Sequence, residues 1–231
     1  IKGDANDIVV LDGNWVAGNI NPNTGFTEYT LAVIGGPYTA FIAPDVQVSK
    51  LISGDLNDDR LSGTVSSDSM EGAQGADSMD GGLGDDTIVG GLGNDTLIGG
   101  SGSDTLSFAA NTAVQPVVVN LSAGNADDGR GGTDTVSGFE TVIGGAASDA
   151  ITGSVDNNRL EGNEGADTLD GGLGDDTLAG GTGNDSLVGG AGYDTADFGV
   201  ATGDMTVDLD TGGGRGRSVD AQAGGQGNDD L

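Results

Sequence analysis

The chain has no cysteine and no histidine, seven basic residues against 37 acidic ones, and only 4% aromatic residues among its 231. Each shortage removes a class of chemistry. Without cysteine, no disulfide can staple the fold and no thiolate can act as nucleophile or metal ligand. Without histidine, imidazole-ligated zinc and every triad built on an imidazole base are excluded. The only lysines, Lys2 and Lys50, do not sit in a Gly-Lys-Ser/Thr setting, so the glycine runs are not phosphate-cradling loops. A net charge of −30 has the wrong sign for nucleic acid or an anionic membrane surface, so neither is an expected partner. No apolar run approaches the roughly 20 residues of a membrane-spanning segment. The opening IKGDANDIVV lacks the basic-then-apolar order of a signal peptide.

What the chain does have is glycine, 47 residues of it, and carboxylates. Composition alone would assign such a chain to disorder. Periodicity argues otherwise. Six nine-residue units run from Gly54 to Ser107, and six more from Gly144 to Asp197; the most regular read GGLGDDTIV, GGLGNDTLI, GGLGDDTLA and GGTGNDSLV. The sixth position is Asp59, Asp68, Asp77, Asp86, Asp95 and Asp104 in the first run. In the second it is Asp149, Asp167, Asp176, Asp185 and Asp194, with Asn158 the one exception. The eighth position is apolar in all units, from Leu61 and Met70 to Leu187 and Ala196.

One inward apolar side chain per nine residues fits a short strand at positions seven to nine, with positions one to six forming a turn. Glycine at positions one, two and four supplies backbone angles that a Cβ forbids. Two units make a coil of eighteen residues, and coils stack as parallel strands about 4.8 Å apart. Aspartates of the same corner then form columns, such as Asp59, Asp77 and Asp95, or Asp68, Asp86 and Asp104. Stacked carboxylates at that spacing repel by roughly 1 kcal/mol per pair even in bulk water. A cation between coils removes the repulsion. Ca2+ suits the spacing, with oxygen ligands at about 2.3 to 2.6 Å, while Mg2+ prefers about 2.0 to 2.1 Å and retains its waters. Burial of one modest side chain per unit does not offset the entropy of ordering nine residues, so metal binding is expected to be coupled to folding.

The pattern resembles the RTX, or haemolysin-type, calcium-binding nonapeptide repeat, GGxGxDxUx, where U is a large apolar residue. The resemblance covers Gly54 to Ser107 and Gly144 to Asp197 directly. It implies a right-handed parallel β-roll, an all-β calcium-binding solenoid in two tandem blocks, with several Ca2+ ions held in its turns. The expected ligands are the sixth-position aspartates, joined by turn carbonyls. In the first block these come from Gly75, Gly82, Gly84, Gly91, Gly93, Gly100 and Gly102. In the second they come from Gly165, Gly172, Gly174, Gly181, Gly183, Gly190 and Gly192. The resemblance further implies type I secretion, an unfolded state in the low-calcium cytosol and an extracellular, secreted or cell-surface location. Asn57, Ser66, Ala147 and Asp156 replace the fourth-position glycine, so the first two units of each block are expected to bind Ca2+ weakly or not at all.

Outside the blocks, residues 1–53 hold five of the nine aromatics and short β-rich runs at Ile8 to Leu11, Tyr29 to Ile34, Tyr38 to Ala43 and Val46 to Leu51. They read as a small antiparallel β cap on the repeats. Residues 108–143 read as an irregular coil of the same solenoid, with a long loop from Ser122 to Gly132; Asp134 and Val136 still fit the sixth and eighth positions of a unit. Phe108, Phe139 and Phe198 are expected to plug the places where regular coils end. Residues 198–231 read as a further irregular coil and the start of another repeat, GGQGNDDL, as in an excerpt of a longer protein. An EF-hand near Asp55 lacks its glycine and terminal glutamate. Almost every acid is explained by its repeat register, so no catalytic pair is expected and the chain is not read as an enzyme. The function expected is a structural or adhesive calcium-binding region of a secreted or cell-surface bacterial protein, whose further partners would be copies of itself or surface glycans. The alternative is the accessory module of a type I-secreted protease, lipase or epimerase.

Overall fold

The computed structural model describes residues 8–11, 14–17, 51–112, 114–209 and 217–219. Among them there are strands and turns but no helix. The chain divides into two compact units, Ile1–Thr105 and Leu106–Leu231.

In the first unit, β1 (Ile8–Leu11) and β2 (Asn14–Ala17) form an antiparallel pair. The repeats supply β3 (Leu51–Ser53), β4 (Arg60–Ser62), β5 (Ser69–Glu71), β6 (Ser78–Leu83), β7 (Thr87–Val89) and β8 (Thr96–Ser101). Alternate strands pair in parallel, so that β4, β6 and β8 form one sheet while β3, β5 and β7 form the other. The register is eighteen residues: Leu61 faces Met79, which faces Leu97, and Ile52 faces Met70, which faces Ile88. β9 (Thr105–Ser107) begins in this unit and ends in the next.

The second unit continues with β10 (Val118–Asn120), β11 (Asn125–Asp127), β12 (Asp134–Ser137), β13 (Thr141–Ile143), β14 (Ala150–Thr152) and β15 (Arg159–Glu164). It ends with β16 (Thr168–Leu173), β17 (Thr177–Thr182), β18 (Asp185–Ala191), β19 (Thr195–Asp197), β20 (Met205–Asp208) and β21 (Arg217–Val219). One parallel sheet runs β10, β14, β16, β18, β20, and the other β13, β15, β17, β19, β21. This is a parallel β-solenoid, two strands per coil.

The core is the eighth-position column. From Leu61 to Leu106 and from Ile151 to Ala196 every such residue is buried, most with no exposure at all. Period-two alternation does this: in β6 Met79 is buried between half-buried Ser78 and exposed Asp80. Burying each Leu, Ile or Met contributes about 1.5 to 3 kcal/mol. Phe108, Phe139 and Phe198 are buried as expected.

Two features differ from the sequence reading. Where glycines permit, strands run on past position nine through the first three residues of the next unit, as in Ser78–Leu83 and Thr168–Leu173. The segment expected as a loop from Ser122 to Gly132 contains β11, which pairs antiparallel with both β10 and β12. Its backbone groups would otherwise lie unpaired against a sheet edge, and the local hairpin satisfies them. Asp134 and Val136 nevertheless take the buried places their register foretold. Of the residues 1–53 expected as an antiparallel cap, the described ones are β1 and β2, which do pair antiparallel, and β3, which pairs in parallel with β5 as a strand of the solenoid; Tyr29 to Ile34 and Tyr38 to Ala43 lie outside the described residues.

Candidate metal centre

Each sixth-position residue sits at the end of a turn, just before its strand or, for Asp185, as its first residue, where the alternation of the strand turns it inward. All eleven aspartates and Asn158 are buried, none more than 6% exposed. They are tied together by one repeated bond. The backbone N–H of Asp59 donates to Asp77 Oδ1 (2.7 Å), that of Asp68 to Asp86 Oδ1 (2.7 Å), that of Asp77 to Asp95 Oδ1 (2.9 Å) and that of Asp86 to Asp104 Oδ1 (2.8 Å). The second unit repeats it from Asp149 to Asp167, Asn158 to Asp176, Asp167 to Asp185 and Asp176 to Asp194, at 2.7 to 3.1 Å. The aspartates from Asp77 to Asp104 and from Asp167 to Asp194 therefore each spend one oxygen on the coil before them.

The other oxygen is where the turns divide into two kinds. In Asp77, Asp86, Asp167, Asp176, Asp185 and Asp194, Oδ2 is buried and has no hydrogen-bond partner. A buried carboxylate oxygen left so costs several kcal/mol unless a proton or a cation meets it. The protein atoms by themselves favour the proton. Burial, aggravated by the charges of Asp95 and Asp59, pushes Asp77 up to about 7 against the relief of the Asp59 N–H bond. Asp167 is likewise pushed up to about 7, and Asp86 and Asp176 to about 6, burial again being the main cause. Asp104, Asp149, Asp185 and Asp194 are raised for the same reason. In the other kind of turn, Oδ2 is already met. Asp59 Oδ2 accepts the Asp55 N–H (2.8 Å), Asp149 Oδ2 accepts the Gly145 N–H (2.7 Å), and Asp68 Oδ2 accepts both the N–H (2.6 Å) and the hydroxyl (2.9 Å) of Thr64. Asn158 Oδ1 does the same with the N–H and hydroxyl of Ser154, at 2.7 and 3.1 Å.

The glycines expected as ligands adopt the conformation that exposes turn carbonyls. All fourteen, from Gly75 to Gly192, have positive φ, between +97° and +153°. Two non-glycine residues at position two, Ala73 and Asn163, are forced into the same left-handed region, at φ 76° and 74°. A Cβ on Gly93 would run into the Gly75 carbonyl, and one on Gly100 into that of Gly82, so carbonyls of one coil face bare glycine Cα atoms of the next. Among the described residues no three carboxylates converge on one point. A cation held here would thus draw much of its oxygen shell from backbone carbonyls, as hard divalent ions readily do.

One functional column escaped the sequence reading. At position five, exposed side chains accept the N–H of position five on the next coil: Asp58 from Ala76 (2.8 Å), Asp85 from Ser103 (2.8 Å), Asn157 from Asp175 (2.8 Å) and Asp175 from Tyr193 (2.8 Å). The recurrence of Asp, Asn and Ser there was the available signal; beside an acid that recurs in eleven of twelve units it passes for solubility. In the hairpin, Asp127 is exposed but Asp128 is buried, its carbonyl accepting Asn111 Nδ2 (2.6 Å) and its Oδ1 the Arg130 N–H (2.7 Å).

A repeating carboxylate oxygen, buried and unmatched, in a glycine turn of nine-residue period is the decisive arrangement. The family model of the RTX calcium-binding nonapeptide repeat matches residues 53–88, 80–110, 134–169, 143–178 and 161–196. The chain belongs to that family. No curated protein matches it. The RTX match starting at residue 134 takes in the last part of the irregular coil, in keeping with the buried Asp134 and Val136. The RTX repeats are calcium-binding, and the residues present suit that ion: hard oxygens only, one of them unmatched by any hydrogen-bond donor in each of the six turns ending at Asp77, Asp86, Asp167, Asp176, Asp185 and Asp194. The repeat solenoid is a structural calcium-binding module and not itself a catalytic one.

Proposed function

We propose that this chain is an extracellular module that folds when it meets Ca2+ and then serves as a structural or adhesive region of a secreted or cell-surface bacterial protein. The observation that carries the reading is the set of buried Oδ2 atoms in Asp77, Asp86, Asp167, Asp176, Asp185 and Asp194. With Ca2+ scarce, near neutral pH, those groups hold charge that the interior cannot accommodate, and the chain stays open. In a calcium-rich exterior each aspartate Oδ2, with carbonyls of Gly82, Gly84, Gly91, Gly93 and their counterparts in the second block, would hold the ion. The ion supplies charge neutralisation and coil-to-coil bridging; the aspartate Oδ1 atoms and the apolar column supply register and cohesion. Coupling of binding to folding suits a protein that must leave the cell as an unfolded chain. An adhesive surface would be the outer faces of the two sheets, and its partners copies of the same chain or surface glycans.

Circular dichroism during a Ca2+ titration at pH 7.5, with Mg2+ as the control, tests the reading. A coil-to-β transition is expected with Ca2+ and not with equal Mg2+. Complete β structure in chelator at that pH would refute it.

A further inference from the structure

Closed and open turns do not follow the second-position residue. Gly145 stands at position two of a closed turn, whereas Ala73 and Asn163 stand there in turns whose backbone is open. They follow position four without exception. The closed turns carry Asn57, Ser66, Ala147 and Asp156 there; every open turn carries a glycine with positive φ.

The hydrogen bonds give the reason. In five open turns the position-four N–H points along the stack to a carbonyl of the next coil, that of Gly183 to Thr202 O (2.6 Å) among them. Gly75 donates to Leu92 O, Gly84 to Ser101 O, Gly165 to Thr182 O and Gly174 to Ala191 O, each at 2.9 Å. In three closed turns it turns back within its own loop, Asn57 N–H to Asp55 Oδ1 (2.8 Å), Ser66 N–H to Thr64 Oγ1 (3.2 Å) and Asp156 N–H to Ser154 Oγ (3.1 Å). A residue with a Cβ disfavours the left-handed angle that the first path needs. The loop then folds inward, and the position-two N–H comes to the sixth-position side chain. A second observation agrees. Asn158, the one sixth position without a carboxylate, lies in a closed turn, and its Nδ2 donates to Glu140 O (3.3 Å). An amide serves there because the position-two donors already do what a cation would do.

We propose that the fourth-position glycine is the positioning residue that decides whether a turn takes Ca2+. The turns ending at Asp59, Asp68, Asp149 and Asn158 are self-closed and bind none, so each block starts with one metal-free coil. This rests on reading the open turns as calcium sites. It also makes the missing glycine, not the second position or the acid, the cause.

The test is the number of Ca2+ ions bound per chain, by isothermal titration calorimetry on the whole chain, with circular dichroism at saturating Ca2+ confirming the fold. Ala147→Gly restores GGAGSD and is expected to gain a further ion; adding Asp149→Asn should abolish that gain, while Asp149→Asn alone should leave the wild-type count. Ser66→Gly is an independent gain-of-site variant in the first block. Asp86→Asn, in an open turn, should lower the count. If both glycine variants bind no more than wild type while Asp86→Asn binds less, the role of position four is overturned and the calcium reading stands. An unchanged count in Asp86→Asn sinks the calcium reading itself.

Discussion

Asp77 Oδ1 accepts the backbone N–H of Asp59, eighteen residues earlier, at 2.7 Å, while Oδ2 of the same carboxylate is buried with no hydrogen-bond partner. One side chain thus does two separate jobs, coil registration with one oxygen and charge presentation with the other. Amide and carboxylate differ in only one of them. Asp77→Asn can keep the bond to Asp59 but cannot neutralise a cation, whereas Asp77→Ala loses both.

That separation sets the first expectation. Asp77→Asn should raise the Ca2+ midpoint of folding modestly, and Asp77→Ala should raise it further, by the additional loss of a charge-assisted bond worth about 1.5 to 3 kcal/mol. Circular dichroism titrations of both variants beside wild type read the difference; equal midpoints would show that registration contributes nothing.

Protons should partly replace calcium. Asp77 and Asp167 titrate at about 7 in the fold, and Asp86 and Asp176 at about 6, against an ordinary 3.8. The fold therefore binds more protons than the unfolded chain between those limits, and stability falls as pH rises through that window. In chelator, β content is expected to be higher at pH 5 than at pH 8, both above the pI of about 4.1. The Ca2+-loaded fold has given those protons up, so its stability should lack this fall with pH, and Ca2+ should matter more to folding at pH 8 than at pH 5. Equal β content in chelator at pH 5 and pH 8 contradicts the buried titration.

The left-handed angle of Ala73, φ 76°, costs energy that glycine would not incur. Ala73→Gly should stabilise the calcium-loaded fold by about 1 kcal/mol. Asn163 shares the angle but donates its Nδ2 to Gly144 O (2.8 Å), so Asn163→Gly should give little or no gain. Urea unfolding in saturating Ca2+ compares the two.

Leu97 is wholly buried, level with Met79 on the neighbouring coil. Leu97→Ala should cost about 2 to 5 kcal/mol, seen as a lower urea midpoint in saturating Ca2+. An outward change on the same strand, Ile98→Thr at a 38% exposed residue, should shift it by less than about 0.5 kcal/mol.

The position-five ladder offers a smaller effect. Asp85→Ala removes the acceptor of the Ser103 N–H and should cost about 0.5 to 1.5 kcal/mol, while Asp85→Asn, which retains an acceptor, should cost less. Urea midpoints decide whether this exposed column contributes to holding the turns.

Local grammar determined the solenoid, because a nine-residue period with one inward side chain has few other ways to bury it. Leu61, Met79 and Leu97 could be placed in one column from spacing alone, and so could the aspartates and glycines of the turns, since eighteen residues return the chain to the same corner. The hairpin strand at Asn125–Asp127 could not, because its pairing with Val118–Asn120 and Asp134–Ser137 depends on edges that exist only once the coils are stacked. The contrast between Asp68 and Asp86 was legible in part: Ser66 in place of a fourth-position glycine marked the weaker turn, but not which carboxylate oxygen the protein meets. Both are the sixth residue of a repeat, both are buried, and both accept or donate along one column. Only the tertiary path of the turn, set by whether the fourth N–H joins the next coil or returns to its own loop, settles which carboxylate oxygen is satisfied by protein and which is left for an ion.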